Sequence, residues 1–333
     1  MITQVRGLAG DDALPERVEI IEVGPRDGFQ ILPGFIDTAD KIQIVNSLIR
    51  AGIRRMEVTS FVHPKAVPQM RDAAEVVRGV QRDGCQCFVM VPNLKGAERA
   101  IEAGADMLNL VVSVSESHNR SNVRMGVEES LGGFSSVLEL AANAGIPVRA
   151  SIATVFGCPF EGDVPAERVL DVGQRLRDMG CMELNLCDTT GMANPRQVAC
   201  IARRVLQEIR GVGLTMHFHN TRGIGAANLL SAMQNGITSF EASFGGLGGC
   251  PFAPGAAGNV CTEDMANMLS EMGIETGVHL PELIEAVRRA EQIMGMSFPG
   301  QVIKAGRSCE RHPLPPAPWS AAAMLPLSPK PAR

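Results

Sequence analysis

Two histidines separated by one residue, His217 and His219 in the run LTMHFHN, are the most specific chemical signal in this chain of 333 residues. Residues two apart on a strand share a face, so both imidazoles can point one way with Phe218 on the other side. A lone histidine is more often a hydrogen-bonded core residue. Two at this spacing can bind one divalent cation, with side-chain oxygens completing the shell. Asp27, in EVGPRDG, offers an anionic oxygen, and Asn259 a neutral one. Such a set suits Mg²⁺ or Mn²⁺ better than a structural zinc. The ion can chelate a hydroxyl together with a carbonyl or carboxylate and lower the pKa of that hydroxyl. Arg26, next to a ligand, can neutralise a developing oxyanion or enolate with its fixed fork of donors. Its plainer role is an ion pair with Glu57 or Asp188, and the two roles can coexist.

Cys250 stands among six glycines between residues 245 and 258, in SFGGLGGCPFAPGAAGNVCTED. A dense glycine run raises the cost of ordering, so it needs a local reason. It reads as a linker, as a turn bringing backbone close to something, or as a flap carrying a reactive group. Most cysteines act as small buried hydrophobes. A thiol on a loop beside a metal site can instead serve as a general acid near neutral pH, delivering a proton to a carbanion or enolate. The glycines would let such a loop close over substrate and reopen.

These groups need a frame that brings distant segments together. Eight β-rich runs, at 18–23, 54–60, 85–92, 106–114, 146–155, 181–188, 213–219 and 237–244, alternate with amphipathic helical patterns. The runs are largely apolar, as parallel strands covered on both faces should be. Helix, glycine and strand recur at Gly52, Gly104, Gly145, Gly180 and Gly236. The count and length match an α/β fold, the (β/α)8 TIM barrel, with an open doubly wound sheet as the rival. In such a barrel the strand ends carry the site: Arg26 and Asp27 after strand 1, Glu57 on the face of Thr59 on strand 2, Asp188 after strand 6, and the histidines on strand 7. Strands 1, 7 and 8 are neighbours on closure, so Asp27, His217, His219 and Asn259 can converge.

Two further helical patterns follow residue 265, giving extra C-terminal helices. The organisation expected is an N-terminal extension at 1–16, a barrel domain with those helices at 17–298, and a proline-rich, poorly ordered tail at 299–333. The net charge is −5 and no basic block stands out, which argues against a nucleic-acid partner. No run approaches the ~20 apolar residues needed to span a bilayer, and the start lacks the apolar core of a secretory signal, so a cytoplasmic protein without a membrane partner is expected. The nine scattered cysteines contain no CxxC pair and read as reduced thiols.

From about Val18 to Gly295 the chain resembles the 3-hydroxy-3-methylglutaryl-CoA lyases of the metal-dependent lyase and Claisen-condensing TIM-barrel superfamily. The motifs that carry this are VEIIEVGPRDGFQ, MEVTSFVHPKAVPQM, VPNLKG, FGCPFEG, DTTG, HFHNTRG and GGLGGCPFAPGAAGNVCTED. The last sets the lyases apart from the condensing enzymes. The resemblance implies retro-Claisen cleavage of an acyl-CoA substrate to acetyl-CoA and a keto acid such as acetoacetate. Asp27, His217, His219 and Asn259 would hold the cation, Arg26 would stabilise the thioester enolate, and Cys250 would protonate it. Asp27 or His217 would take the hydroxyl proton. Glu57 and Asp188 would orient Arg26 and the groups at the metal, and Glu263 would support the cysteine loop from behind. Arg26, Gln30, Ser60, Ser151 and Asn185 would contact substrate, and a homodimer is implied.

The departures concern the pocket. FQIL follows GPRDG where Leu-Gln-Asn-Glu is usual, Ser151 stands where an aromatic is expected, and Asn185 and Cys187 replace an expected Ser and Gly. A smaller residue at 151 could admit a different 3-substituent. Alternatives to the methylglutaryl substrate are citramalyl-CoA or a longer 3-alkyl analogue. A condensing enzyme of the homocitrate or isopropylmalate synthase kind, and a barrel that only binds acyl-CoA, are weaker readings.

Overall fold

The computed structural model describes residues 14–249, 258–311 and 313. Eight parallel strands run β1 (Glu19–Glu22), β2 (Arg55–Ser60), β3 (Gln86–Met90), β4 (Met107–Ser113), β5 (Val148–Ala153), β6 (Glu183–Cys187), β7 (Gly213–His217) and β8 (Ser239–Ala242). Each pairs with the next and β8 pairs with β1, with Glu19 opposite Ser239 and Glu22 opposite Ala242, so the sheet closes into a (β/α)8 barrel. The connecting helices are α1 (Thr38–Arg50), α2 (Ala73–Gly79), α3 (Leu94–Ala103), α4 (Glu116–Val123), α5 (Val127–Ala144), α6 (Ala166–Asp178), α7 (Pro195–Glu208) and α8 (Gly225–Gln234). The expected strands and their order are therefore present, one or two residues shorter at some ends.

Local chemistry explains the punctuation. Asn194 caps α7 in a reciprocal box with Gln197, and Asn93 accepts from the Gly96 N–H at the start of α3. Gly104 and Gly145 end α3 and α5 in the left-handed conformation, at φ of 87° and 68°. The main core lies between sheet and helices.

The barrel interior is divided. Ile21, Val23, Phe88 and Met107 form a small apolar plug at one side. Against it Arg149, fully buried, pairs with Glu241 at 2.7 Å and Glu183 at 3.0 Å and lies over the Phe88 ring. Arg55 extends the chain of charges, at 2.6 Å from Glu183 and 2.9 Å from Glu19.

One register detail corrects the reading of β2. Glu57 pairs with Phe88 but Thr59 with Val89, so a bulge intervenes between them. Thr59 turns outward to the Met70 sulfur, and Ser60, opposite Met90, takes the inward position expected of Thr59.

Beyond β8 come α9 (Thr262–Glu271), α10 (Leu280–Met294) and the short α11 (Val302–Ala305). Val302 and Ile303 are buried, and Asp264 accepts from the Gln301 and Val302 N–H groups. Packing thus continues past residue 298, where the sequence reading began the tail. Residues 1–13, 312 and 314–333 lie outside the described residues. Among the described residues no helix is long and apolar enough to cross a membrane.

Candidate active site and metal centre

After β1 the chain makes a tight helical turn, Gly24–Gly28, in which the Arg26 and Asp27 N–H groups both bond the Val23 carbonyl. This turn aims two adjacent charged side chains into the barrel mouth. Gly24 is required there, because a Cβ would lie 2.5 Å from the Phe244 ring and 2.8 Å from Glu22 Oε1. Glu22 itself is fully buried. Its Oε1 accepts from the N–H groups of Gly24 and Phe244, and its Oε2 accepts from the Thr262 hydroxyl. One carboxylate so ties the β1 turn to the segments after β8.

His217 closes β7 and His219 follows beyond Phe218, whose ring faces outward between Phe156 and Phe240. The imidazole centroids are 5.0 Å apart. Ligand atoms of Asp27, His217 and His219 lie within 4.8 Å of one another. Asn259 bridges in backbone register to His219, and its Nδ2 donates to Asp27 Oδ2 at 2.7 Å and to the Leu247 carbonyl at 2.8 Å. With the amide nitrogen so engaged, Asn259 Oδ1 is buried without a partner, as is His219 Nδ1. Two orphaned acceptors beside a carboxylate and a second imidazole form a donor set that fits a divalent cation.

Arg26 donates through Nε to Glu57 in a short contact and through Nη1 to Asp27 Oδ1 at 2.7 Å. Its remaining nitrogen, Nη2, has no partner among the described residues and is free for an oxyanion. Gln30 donates to Asp27 Oδ1 at 3.2 Å, so it supports the ligand carboxylate. Glu57 also accepts from Asn109 Nδ2 at 2.7 Å. Ser151 donates to Asn109 Oδ1 at 3.1 Å, and Asn185 Nδ2 reaches Ser151 Oγ at 3.1 Å and Glu241 Oε2 at 2.8 Å. Glu241 Oε2 lies 3.0 Å from His217 Nδ1. Three of the pocket departures, Ser151, Asn185 and Cys187, therefore sit in one wall, with Cys187 Sγ accepting from Asn185 at 3.2 Å.

Charge follows this geometry. Burial works to raise the Asp27 pKa, yet Arg26, His217 and His219 hold it below the usual carboxylate range. Burial favours neutral imidazoles and takes His219 down to about 3, with His217 adding to the effect. For His217 burial is outweighed by Glu241 and Asp27, and its pKa rises. Burial pushes Glu57 up despite Arg26, while Arg149 and His217 keep Glu241 ionised against burial.

One expected partner of Arg26 stands elsewhere. Asp188 does not touch Arg26. Its Oδ1 instead accepts the Met192 and Ala193 N–H groups at 2.7 and 2.9 Å, folding the turn after β6, and burial raises it to about 6. Glu263 accepts the Gly245 N–H at 3.0 Å behind the ligands. Ser60 faces Met90. Cys250, the expected acid, lies outside the described residues.

Sequence reasoning passed over Asn109, Arg149 and Glu241. Each is a polar residue inside an otherwise apolar strand, in DMLNLVV, IPVRASI and ITSFEASF. A charged residue in a fully covered strand must face a partner inside the barrel, and that signal was available.

A family model described as HMGL-like matches residues 17–289. Hydroxymethylglutaryl-CoA lyase YngG of Bacillus subtilis is 44% identical over 88% of this chain and 99% of its own length. The mitochondrial hydroxymethylglutaryl-CoA lyase of Macaca fascicularis is 43% identical over 83% of this chain and 85% of its own. Among solved structures, an HMG-CoA lyase from Acinetobacter baumannii in complex with coenzyme A and 3-methylmalate superposes with a TM-score of 0.87 at 45% identity, covering 91% of this chain and 99% of that one.

Proposed function

We propose that this chain, which belongs to the HMGL-like family, is a carbon–carbon lyase that cleaves 3-hydroxy-3-methylglutaryl-CoA to acetyl-CoA and acetoacetate with the help of a divalent cation. The observation that carries the reading is the meeting of Asp27, His217, His219 and Asn259 at one point beside the open edge of Arg26. Mg²⁺ or Mn²⁺ at those four residues would supply a Lewis acid that orients the substrate oxygens and acidifies the 3-hydroxyl.

The residues of the chain supply the rest. Asp27 takes the hydroxyl proton, since His217, with one ring nitrogen toward the cation and the other toward Glu241, has no lone pair to spare. The C2–C3 bond then breaks, C3 becomes the ketone carbon of acetoacetate, and the electron pair passes into the thioester as an enolate. Arg26, held on two sides by Glu57 and Asp27, presents its remaining N–H groups to that enolate oxygen without having to reorganise. Cys250 returns one proton to C2, so one proton leaves oxygen and one arrives on carbon. Gln30, Ser60, Ser151 and Asn185 line the space for the acyl chain. Glu57 aims Arg26, Asp188 shapes the turn beside His217, and Glu263 steadies the backbone that leads into the cysteine loop.

The eight described cysteines are all free, which supports a reducing, cytoplasmic setting. Pairing of the outer helices into a homodimer completes the proposal and is read by light scattering.

Incubating the protein and Mn²⁺ with a panel of 3-hydroxyacyl-CoAs, and following acetyl-CoA release, tests the assignment. The small Ser151 supports one second reading, a longer 3-alkyl substrate. Turnover of that compound without turnover of the methylglutaryl compound would replace the substrate and keep the mechanism. Cys250→Ala should slow turnover by about two to four orders of magnitude. Near-normal activity would remove Cys250 as the acid.

A further inference from the structure

We propose that Glu241, on β8, is the positioning residue that fixes the tautomer of His217, and that Asn185 holds Glu241 in the same hydrogen-bonded frame that aims Arg26. The inference rests on the metal site proposed above: it adds Glu241, which touches neither the ion nor the substrate, and gives Asn185, already placed in the wall of the acyl pocket, a second role through Glu241.

Carboxylates only accept, so the 3.0 Å contact to Glu241 Oε2 requires the hydrogen of His217 to sit on Nδ1. In the neutral ring, the form a cation selects, Nε2 then carries the lone pair. Without that acceptor the imidazole is free to take the other tautomer, in which Nε2 is a donor and useless as a ligand. Glu241 is itself immobilised from three directions. Arg149 Nη1 binds Oε1 at 2.7 Å, while Asn185 Nδ2 and His217 share Oε2. All of these side chains are buried.

Asn185 connects this carboxylate to a second one. The amide nitrogen must face Glu241, which fixes its orientation. The same nitrogen reaches Ser151 Oγ, Ser151 donates to Asn109 Oδ1, and Asn109 donates to Glu57, which grips Arg26. Arg26 in turn binds Asp27, and Asp27 lies with His217 in the ligand cluster. The series is a closed loop around the barrel wall, from β1 through β2, β4, β5, β6, β8 and β7. It couples the ligand geometry at one end to the enolate-stabilising guanidinium at the other.

The test uses the full chain labelled with ¹⁵N-histidine. In metal-free protein the His217 ring, assigned by its loss in His217→Gln, should show the Nδ1–H tautomer. Glu241→Gln should move that signal toward a tautomer mixture and weaken Mn²⁺ binding, followed by electron paramagnetic resonance, by about 10- to 100-fold. Glu241→Asp, which keeps a carboxylate, should recover part of the affinity, and Asn185→Ala should lower it by a smaller factor than Glu241→Gln. An Nε2–H tautomer in the wild type overturns the proposal, as does Mn²⁺ affinity in Glu241→Gln within twofold of wild type. If Glu241→Gln alone does not fold because Arg149 is left unpaired, Glu241→Gln with Arg149→Met removes both charges and carries the same readouts. Wild-type protein that binds no Mn²⁺ counts against the metal reading of the function, while the tautomer measurement still decides the role of Glu241.

Discussion

Gly248 leaves the ligands no slack. It sits at φ of 101°, and a Cβ there would lie 2.6 Å from Asp27 Oδ2 and closer still to Asn259 Nδ2. Gly248→Ala should therefore strain the backbone and push two ligands apart, lowering Mn²⁺ affinity and turnover by about tenfold or more. Wild-type affinity in a titration would show that Asp27 and Asn259 do not act together. At this scale much of the site was legible in the sequence. His-x-His on a strand and Arg-Asp after one have few structural uses, so type and spacing alone pointed to their chemistry. Glu241, Asn109 and Arg149 stand out as polar residues in apolar strands, but their partners were opaque for a physical reason: each acts through a neighbour on another strand, and the Glu241–Arg149 pair spans 92 residues of sequence. Asp188 misled because its position at a strand end matched Arg26, although two nearby backbone N–H groups satisfy one of its oxygens.

Between elements, the buried carboxylates behind the site govern a pH response. Burial raises Glu22 to about 7 against its three donors, and raises Glu263 to about 8. The folded protein thus keeps protons that the unfolded chain loses near 4.5. Their contribution to stability is fully present below that value and lost as pH rises through 7 to 8. Glu263→Gln should flatten the fall of Tm between pH 5 and about 8, and a slope equal to the wild type would show that Glu263 ionises normally. Strands and helices were readable because alternation, caps and glycines are local signals. The bulge in β2 was not, since MEVTS carries no glycine or proline there and the extra residue exists only relative to β3.

For the molecule as a whole, the divided interior sets the stability of the barrel. Arg149 is the buried guanidinium that compensates Glu241, beside His217, and helps compensate Glu183, with Phe88 beneath it. Arg149→Met by itself should strand buried charge and cost about 3–5 kcal/mol in urea unfolding. A loss below about 1 kcal/mol would mean that the interior charges are hydrated. Eight repeated units were enough to foretell closure, because helix and strand counts are properties of the sequence itself. Closure also has a bearing on how the protein comes into being. Asp27 and Asn259 meet across 232 residues, through the pairing of the first strand with the last. A nascent chain emerging from the ribosome carries Arg26 and Asp27 first, and gains Asn259 only 232 residues after Asp27. The reactive centre is thus withheld until the barrel can shut, and a growing chain cannot act on a thioester before its last strand has emerged.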